Sequence, residues 1–361
     1  MKVNTGDQRP SRGTWGLRRF AVLGAVFAVL VTGACGSSET AKPAVGGATS
    51  PGTASTGTPA VLAEGQYLEN AADFVDAANW DAAPKVPIEL GEMFFKPKNI
   101  SVEAGKPYVL ELVNTGKVKH EFTAAEFFRS AASRKVESDS SEVKVPFFTE
   151  IEVLAGKSAE LFVIPVIPGA FEMLCLIPGH RAAGMEGTIT VTGSTPAVPA
   201  PALGSMTAGP WLQNGPALVE AASATWDAKA ETVRIEAGEG GDVLQSKEHQ
   251  HGAKHQHGAK MFFEPKDLVL KVGTPYVIEL VNVGKIKHEY TAAEFFPTVA
   301  FRKAEDAAGE YKGPLLNEAE VFPGKQLDLY LIPTKAGTFE ILCEIPGHRE
   351  AGMEGTITVT K

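Results

Sequence analysis

The sequence predicts an all-β chain made of two consecutive antiparallel sandwiches, each with short accessory helices, and three observations lead there. The chain repeats itself at a fixed offset of 168 positions. Each copy is a series of short apolar runs broken by Gly, Pro and Lys-bearing turns, and helical spacing shows only briefly, ahead of each series. At 361 residues and 44% hydrophobic content the chain can bury two ordinary cores.

In chain order, Arg18, Arg19 and Phe20 lead into the apolar run 21–31, which is too short to span a bilayer comfortably. Residues 1–34 therefore read as an export signal, and the general and twin-arginine routes both stay open. The run ends in Val31, Thr32, Gly33, Ala34 and Cys35, which resembles a bacterial lipobox with threonine where leucine is usual. Cys35 is the expected lipid anchor; ordinary cleavage that leaves a free cysteine is the alternative. Residues 35–62, rich in Ser, Thr, Gly, Pro and Ala, cannot offset the entropy cost of folding and form a flexible tether with a reach of roughly 30 Å. The expected location is the periplasmic or extracytoplasmic face of a bacterial membrane. The formal charge of −9 becomes −13 once the five basic and one acidic side chains of residues 1–34 are removed, which argues against nucleic acid as a partner.

The first domain is assigned to residues 63–193 and the second to 213–361. Tyr67, Leu68, Ala71, Phe74, Val75 and Ala78 have helical spacing, and a weaker copy runs from Leu218 and Val219 to Trp226. Strands are expected at 86–90, 108–113, 151–154, 158–163 and 187–191. Thr123 and Glu126, like Thr291 and Glu294, match a capping box, so a short helix is expected there, with Phe127, Phe128, Phe295 and Phe296 packed on the sandwich. Residues 194–212, Pro- and Ala-rich, read as a linker that holds the domains apart. The second copy has 22 additional residues before Met261, with His249, His251, His255 and His257 in the tandem hexapeptide of 249–260. That tract is either an accessory metal-collecting arm or a solvated product of repeat slippage.

The chemistry sits in Cys343, His348 and Met353. A thiolate, an imidazole and a thioether within eleven residues suit copper cycling between its two oxidation states, where a hard cation would want carboxylates. His288 is the candidate fourth ligand. The set recurs as His120, Cys175, His180 and Met185, every ligand displaced by 168 positions, and 19 of 22 positions agree between residues 171–192 and 339–360.

The spacing Cys-x4-His-x4-Met, the Gly-x-Phe-Glu ahead of each cysteine and the distant upstream histidine together resemble the cupredoxin, or type 1 blue copper, family, and the loop resembles its rusticyanin and auracyanin branch. The resemblance covers residues 85–193 and 253–361. It implies two Greek-key β-sandwiches and two type 1 copper sites, each with two histidines and a cysteine thiolate near one plane and a weak axial methionine. It also implies that His180 and His348 are the partly exposed ligands through which electrons pass, within an apolar patch bordered by Arg181 or Arg349.

The census supports this reading. Eight histidines divide into four copper ligands and the four of the tract, so none remains for the further centres of a multicopper oxidase or a copper nitrite reductase, and no enzyme is expected. Three cysteines divide into one anchor and two thiolates, with no disulfide left to make. Two functions stay open: an anchored single-electron carrier working with a redox partner protein, or a copper-binding protein for homeostasis or delivery working with a copper-handling partner. Leu176 against Glu344, and Ala182 against Glu350, predict unequal sites, the second at the lower potential.

Overall fold

A computed structural model describes residues 62–240 and 260–361. Residues 1–34, Cys35, nearly all of the tether and the four tract histidines lie outside the described residues. The strands form as the apolar alternation dictates. Ser158–Pro165 and its copy Gln326–Pro333 share one burial pattern, as do Asn99–Glu103 and Asp267–Lys271, where Ile100, Val102, Leu268 and Leu270 point inward.

In each half a three-stranded sheet faces a larger one. The small sheet of the first half orders Gly169–Leu174, Glu186–Thr192 and Asn99–Glu103; that of the second orders Gly337–Leu342, Glu354–Thr360 and Asp267–Lys271. The larger sheets do not stop at the domain boundary. Phe94–Lys96, Lys85–Gly91, Tyr108–Asn114, Ser158–Pro165, Ala131–Glu137 and Ser141–Lys144 of the first half continue into Glu318–Val321 and His288–Tyr290 of the second. Reciprocally, the sheet of the second half runs from Lys260–Glu264 through Gly309–Lys312 into Glu150–Val153 and His120–Phe122 of the first.

The expectation of separated domains is therefore corrected. Strand edges of the two halves pair, Ser141 opposite Val321 and Val153 opposite Gly309, so each edge satisfies backbone groups that the other would leave bare. The pairing is symmetric under exchange of the halves. Lys144 Nζ lies 2.5 Å from Glu318 Oε1, and Lys312 Nζ lies 2.5 Å from Glu150 Oε1. Val143, Phe147, Phe148, Ile151 and Val153 pack in one core with Tyr311, Leu315, Leu316, Ala319 and Val321, and full burial is worth roughly 1.5–3 kcal/mol for each large apolar side chain. Near the centre, Asp306 is buried and accepts from Ser138 Oγ, Ser141 Oγ, Tyr311 Oη and the amides of Ala308 and Gly309.

The linker is docked too. Leu203–Ser205 pairs antiparallel with Gln66–Leu68, Asn70 holds Ala200 and Ala202, and Trp211 packs on Tyr67 and Phe147. Tyr67 and Leu68 are thus in a strand, and the first helix is confined to Ala71–Ala77. The second copy carries Gly215–Ser223 and Trp226–Lys229 as helices.

The capping boxes also need correction. A helix does follow His120, at Ala125–Ser130, but Ala124 is its N-cap, and Thr123 Oγ1 is buried without a partner because the Thr123 backbone already bridges to Leu174. In the second copy only the short 3-10 turn Phe296–Thr298 forms, since Pro297 replaces Arg129 and cannot donate. All four phenylalanines are buried, as expected.

Candidate metal centres

Each centre is assembled from three places in the fold. His120 begins the edge strand His120–Phe122, Cys175 follows the strand Gly169–Leu174, and His180 and Met185 lie on the loop that leads into Glu186–Thr192. His288, Cys343, His348 and Met353 have the same placement in the second half. One ligand atom from each of His120, Cys175 and His180 lies within 4.8 Å of the others, and the same holds for His288, Cys343 and His348. In the first set His120 Nδ1 is 3.3 Å from His180 Nδ1, which is 3.3 Å from Cys175 Sγ; in the second, His348 Nδ1 is 3.2 Å from Cys343 Sγ. Both methionines and both cysteines are fully buried.

Backbone bonds shape the loops identically. The Cys175 amide donates to Met185 O and the Met185 amide to His180 O, which closes the loop so that thiol, ring and thioether face one pocket; Cys343, His348 and Met353 repeat this. Gly184 and Gly352, at φ +107° and +106°, take the left-handed turn before each methionine.

The upstream histidines owe their positions to residues that the ligand pattern did not reveal. Asn114 Nδ2 donates to Val118 O and Val153 O while its Oδ1 accepts from Gly116, so the turn before His120 is tied to the strand that pairs with it; Asn282 does the same through Ile286, Val321 and Gly284. The identical Val-Asn-x-Gly-Lys at 113–117 and 281–285 is the signal that could have pointed to them.

The donor set fits copper. Burial pushes the Cys175 thiol up, and the Cys343 thiol up to about 11, against the amides of Glu121 and Ile177 or of Glu289 and Ile345, which favour thiolate. Burial likewise pushes His120, His288 and His348 down, which keeps these imidazoles neutral with a lone pair to offer. His288 Nδ1 has no protein partner among the described residues, although it is buried. Two imidazole nitrogens and a sulfur converging in a dry pocket call for a soft cation between them, and a metal that displaces the thiol proton supplies it. The two His-Cys-His-Met groups form type 1 copper sites.

The charged surroundings repeat between the halves: beside the second centre Lys144 holds Glu318 and Lys287 holds Glu320, as two lysines hold glutamates beside the first. Glu121, Glu150 and Glu152 cluster beside the first centre, but Lys312 holds Glu150 and Lys119 holds Glu152, which makes this an ion-pair network. Beside the second, the Glu289 carboxyl is pushed up to about 7, by burial first and then by the charge of Glu318, with Lys144 of the other half pulling against them. The folded state thus holds this proton more tightly than the unfolded chain does, so Glu289's contribution to stability is fullest below its ordinary 4.5 and is lost as pH rises to 7. Glu289→Gln accordingly makes the metal-free chain more stable than the parent at pH 8. The gain fades toward pH 4.5, as denaturant midpoints across that range will read out.

The rims match the expected patch in part. His180 is 9% and His348 6% exposed, whereas His120 and His288 are at 0%. Leu176, Pro178, Ala182 and Ala183 are exposed on the loop that carries His180; on the loop that carries His348, Pro346 is exposed together with Glu344 and Glu350. Those two carboxylates lie in solvent, where screening reduces their hold on the site.

A family model described as copper binding proteins, plastocyanin/azurin family, matches residues 82–192 and 249–360. The chain is 30% identical to the copper-resistant cuproprotein CopI of Pseudomonas aeruginosa over 30% of its own length and 77% of that protein. It is 33% identical to the copper-resistant cuproprotein CopI of Rubrivivax gelatinosus over 27% of its length and 60% of that protein. Among solved structures, auracyanin of the photosynthetic bacterium Roseiflexus castenholzii aligns at 18% identity and a TM-score of 0.23, covering 31% of this chain and 98% of auracyanin.

Proposed function

The chain belongs to the plastocyanin/azurin family of copper-binding proteins, and from that premise we propose that it is an exported, lipid-anchored carrier of single electrons without catalytic turnover of its own. The observation that supports this reading most is the shape of each centre: a buried thiolate and inner histidine, with one loop histidine nearer the surface, under an apolar rim in the first half and a mixed one in the second. Bound copper supplies a one-electron couple. The protein's part is to keep His120, His288 and His348 neutral by burial, hold the thiolate with the amides of Glu121 or Glu289, exclude water with Met185 or Met353, and leave His180 or His348 as the electron's exit. A fixed ligand frame means little rearrangement accompanies the change of oxidation state. Cys35 would hold the chain at the extracytoplasmic face of a bacterial membrane, where a redox partner protein docks on the apolar rim.

A second reading, copper tolerance, is favoured by the similarity to two proteins described as copper-resistant. In it the same sites hold copper for homeostasis or delivery, and His249, His251, His255 and His257 gather further ions. Two assays on cells lacking the chain separate the readings. A loss of growth confined to high copper supports tolerance. A loss of electron flow through the membrane at trace copper, restored by parent but not by an anchorless Cys35→Ala chain, supports the anchored carrier, and unimpaired flow overturns it.

A further inference from the structure

Resting on the type 1 reading, we propose that Glu239 is a positioning residue for His288 and the principal source of inequality between the two sites, holding the second at the lower potential. Glu239 Oε1 lies 3.1 Å from His288 Nε2, and its side chain is 10% exposed. The carboxylate is itself fixed, accepting from the Lys285 amide at 3.0 Å and the Ile286 amide at 3.3 Å. A Cβ on Gly284 would meet Glu239 Oε2 at 2.5 Å, so glycine there is what admits the carboxylate.

The first half lacks this contact. Glu92 occupies the corresponding place, takes the Lys117 amide and stands on the His120 side of Gly116, yet it is exposed and makes no hydrogen bond to the ring, and His120 Nε2 has no hydrogen-bond partner among the described residues. The two halves differ here in the length of one hairpin. In the first half Lys85–Gly91 turns back at Glu92 and Met93, where Met93 adopts φ +67°. In the second, Glu231–Gly240 runs on in register with Lys260–Glu264, and Glu239 stands opposite Met261 inside the ladder. The longer hairpin holds Glu239 within the ladder, and there its carboxylate is buried against the ring.

A carboxylate on Nε2 selects the tautomer with its proton there and turns the Nδ1 lone pair toward Cys343 and His348. Its charge, shielded from solvent, favours Cu(II) over Cu(I). Glu344 and Glu350, being exposed, contribute less.

The test uses the full mature chain with Cys175→Ser, so that only the second site is coloured. Glu239→Gln keeps an acceptor and drops the charge. It should raise the Cu(I) to Cu(II) ratio at fixed ambient potential about tenfold, equivalent to about 59 mV for one electron. Glu92→Gln in a Cys343→Ser chain should shift the first site by less than about a third of that. In the metal-free chain, imidazole nitrogen shifts should show His288 protonated at Nε2 in the parent and in Glu239→Gln, but a mixture of tautomers in Glu239→Ala. Equal shifts for Glu239→Gln and Glu92→Gln, or an Nε2 tautomer that survives Glu239→Ala, would overturn the proposal. A Cys175→Ser chain without thiolate absorption would overturn the type 1 reading beneath it, and the metal-free tautomers would still decide what Glu239 does to the ring.

Discussion

Cys175→Ser removes half of the visible thiolate-to-copper absorption of the loaded chain, Cys343→Ser removes the other half, and the double variant has none. Each cysteine is fully buried, each faces its own pair of imidazoles, and no third thiol lies among the described residues. A serine hydroxyl is nearly the same size but is a hard, protonated oxygen that neither gives the charge-transfer band nor suits Cu(I). The fold should survive, since a buried hydroxyl without a partner costs about 1–3 kcal/mol and the rest of each pocket is unchanged. Copper counting alongside the spectrum separates lost colour from lost metal. If both single variants keep the full absorption, the ligand assignment is wrong.

The second large effect crosses from one half to the other. Gly309→Val, a change in the second half, should empty the first copper site. Gly309 pairs with Val153, and a Cβ on it would stand 1.8 Å from Glu152 O and 2.9 Å from Glu152 C, atoms of a backbone that cannot swing aside like a side chain. The strand Glu150–Val153 must then separate from Gly309–Lys312, and it is the only strand that pairs with His120–Phe122 among the described residues. Ordinary overpacking costs about 1–3 kcal/mol, and a backbone clash this close belongs at or above the top of that range. In a Cys343→Ser background the remaining colour should fall to a small fraction of the parent's, with a lower denaturant midpoint. Unchanged colour would mean that the second half does not support His120.

These two predictions differ in how far the sequence alone could have reached. Cys175, His180 and Met185 are legible because three unusual ligand types stand five positions apart and recur at Cys343, His348 and Met353. His120 and His288 are legible because no other histidine outside the tract was left to choose. Strands such as Ser158–Pro165 follow from local alternation. Pairing across the halves was hidden, because alternation says which face of Glu150–Val153 is buried and nothing about whose edge lies beside it. Lys144, Glu150, Lys312 and Glu318 read as a solvated surface until the two edges meet. The motif at Thr123 misled for a related reason: its amide and carbonyl were already committed to Leu174, a residue 51 positions away. Glu239 was hidden as well, lying 49 residues from His288 and on the far side of the insertion.

The symmetry of that shared edge carries a consequence for a chain of two copies. A contact in which residue i of one copy meets j of the other, and j meets i, has the form of a homodimer contact, so each copy of the repeat presents an edge complementary to its own. Joining them made association intramolecular, and the interface then no longer depends on protein concentration. It also released one residue pair from identity. Ser138 and Asp306 are the same position of the repeat, and they meet each other, hydroxyl to carboxylate at 2.6 Å. In a true dimer this position must face its own copy, and two buried aspartates would repel or share a proton. A chain that carries two copies can place serine on one side of the axis and aspartate on the other, as a homodimer cannot. That pair is where the tandem chain has an interface no homodimer of its repeat could possess.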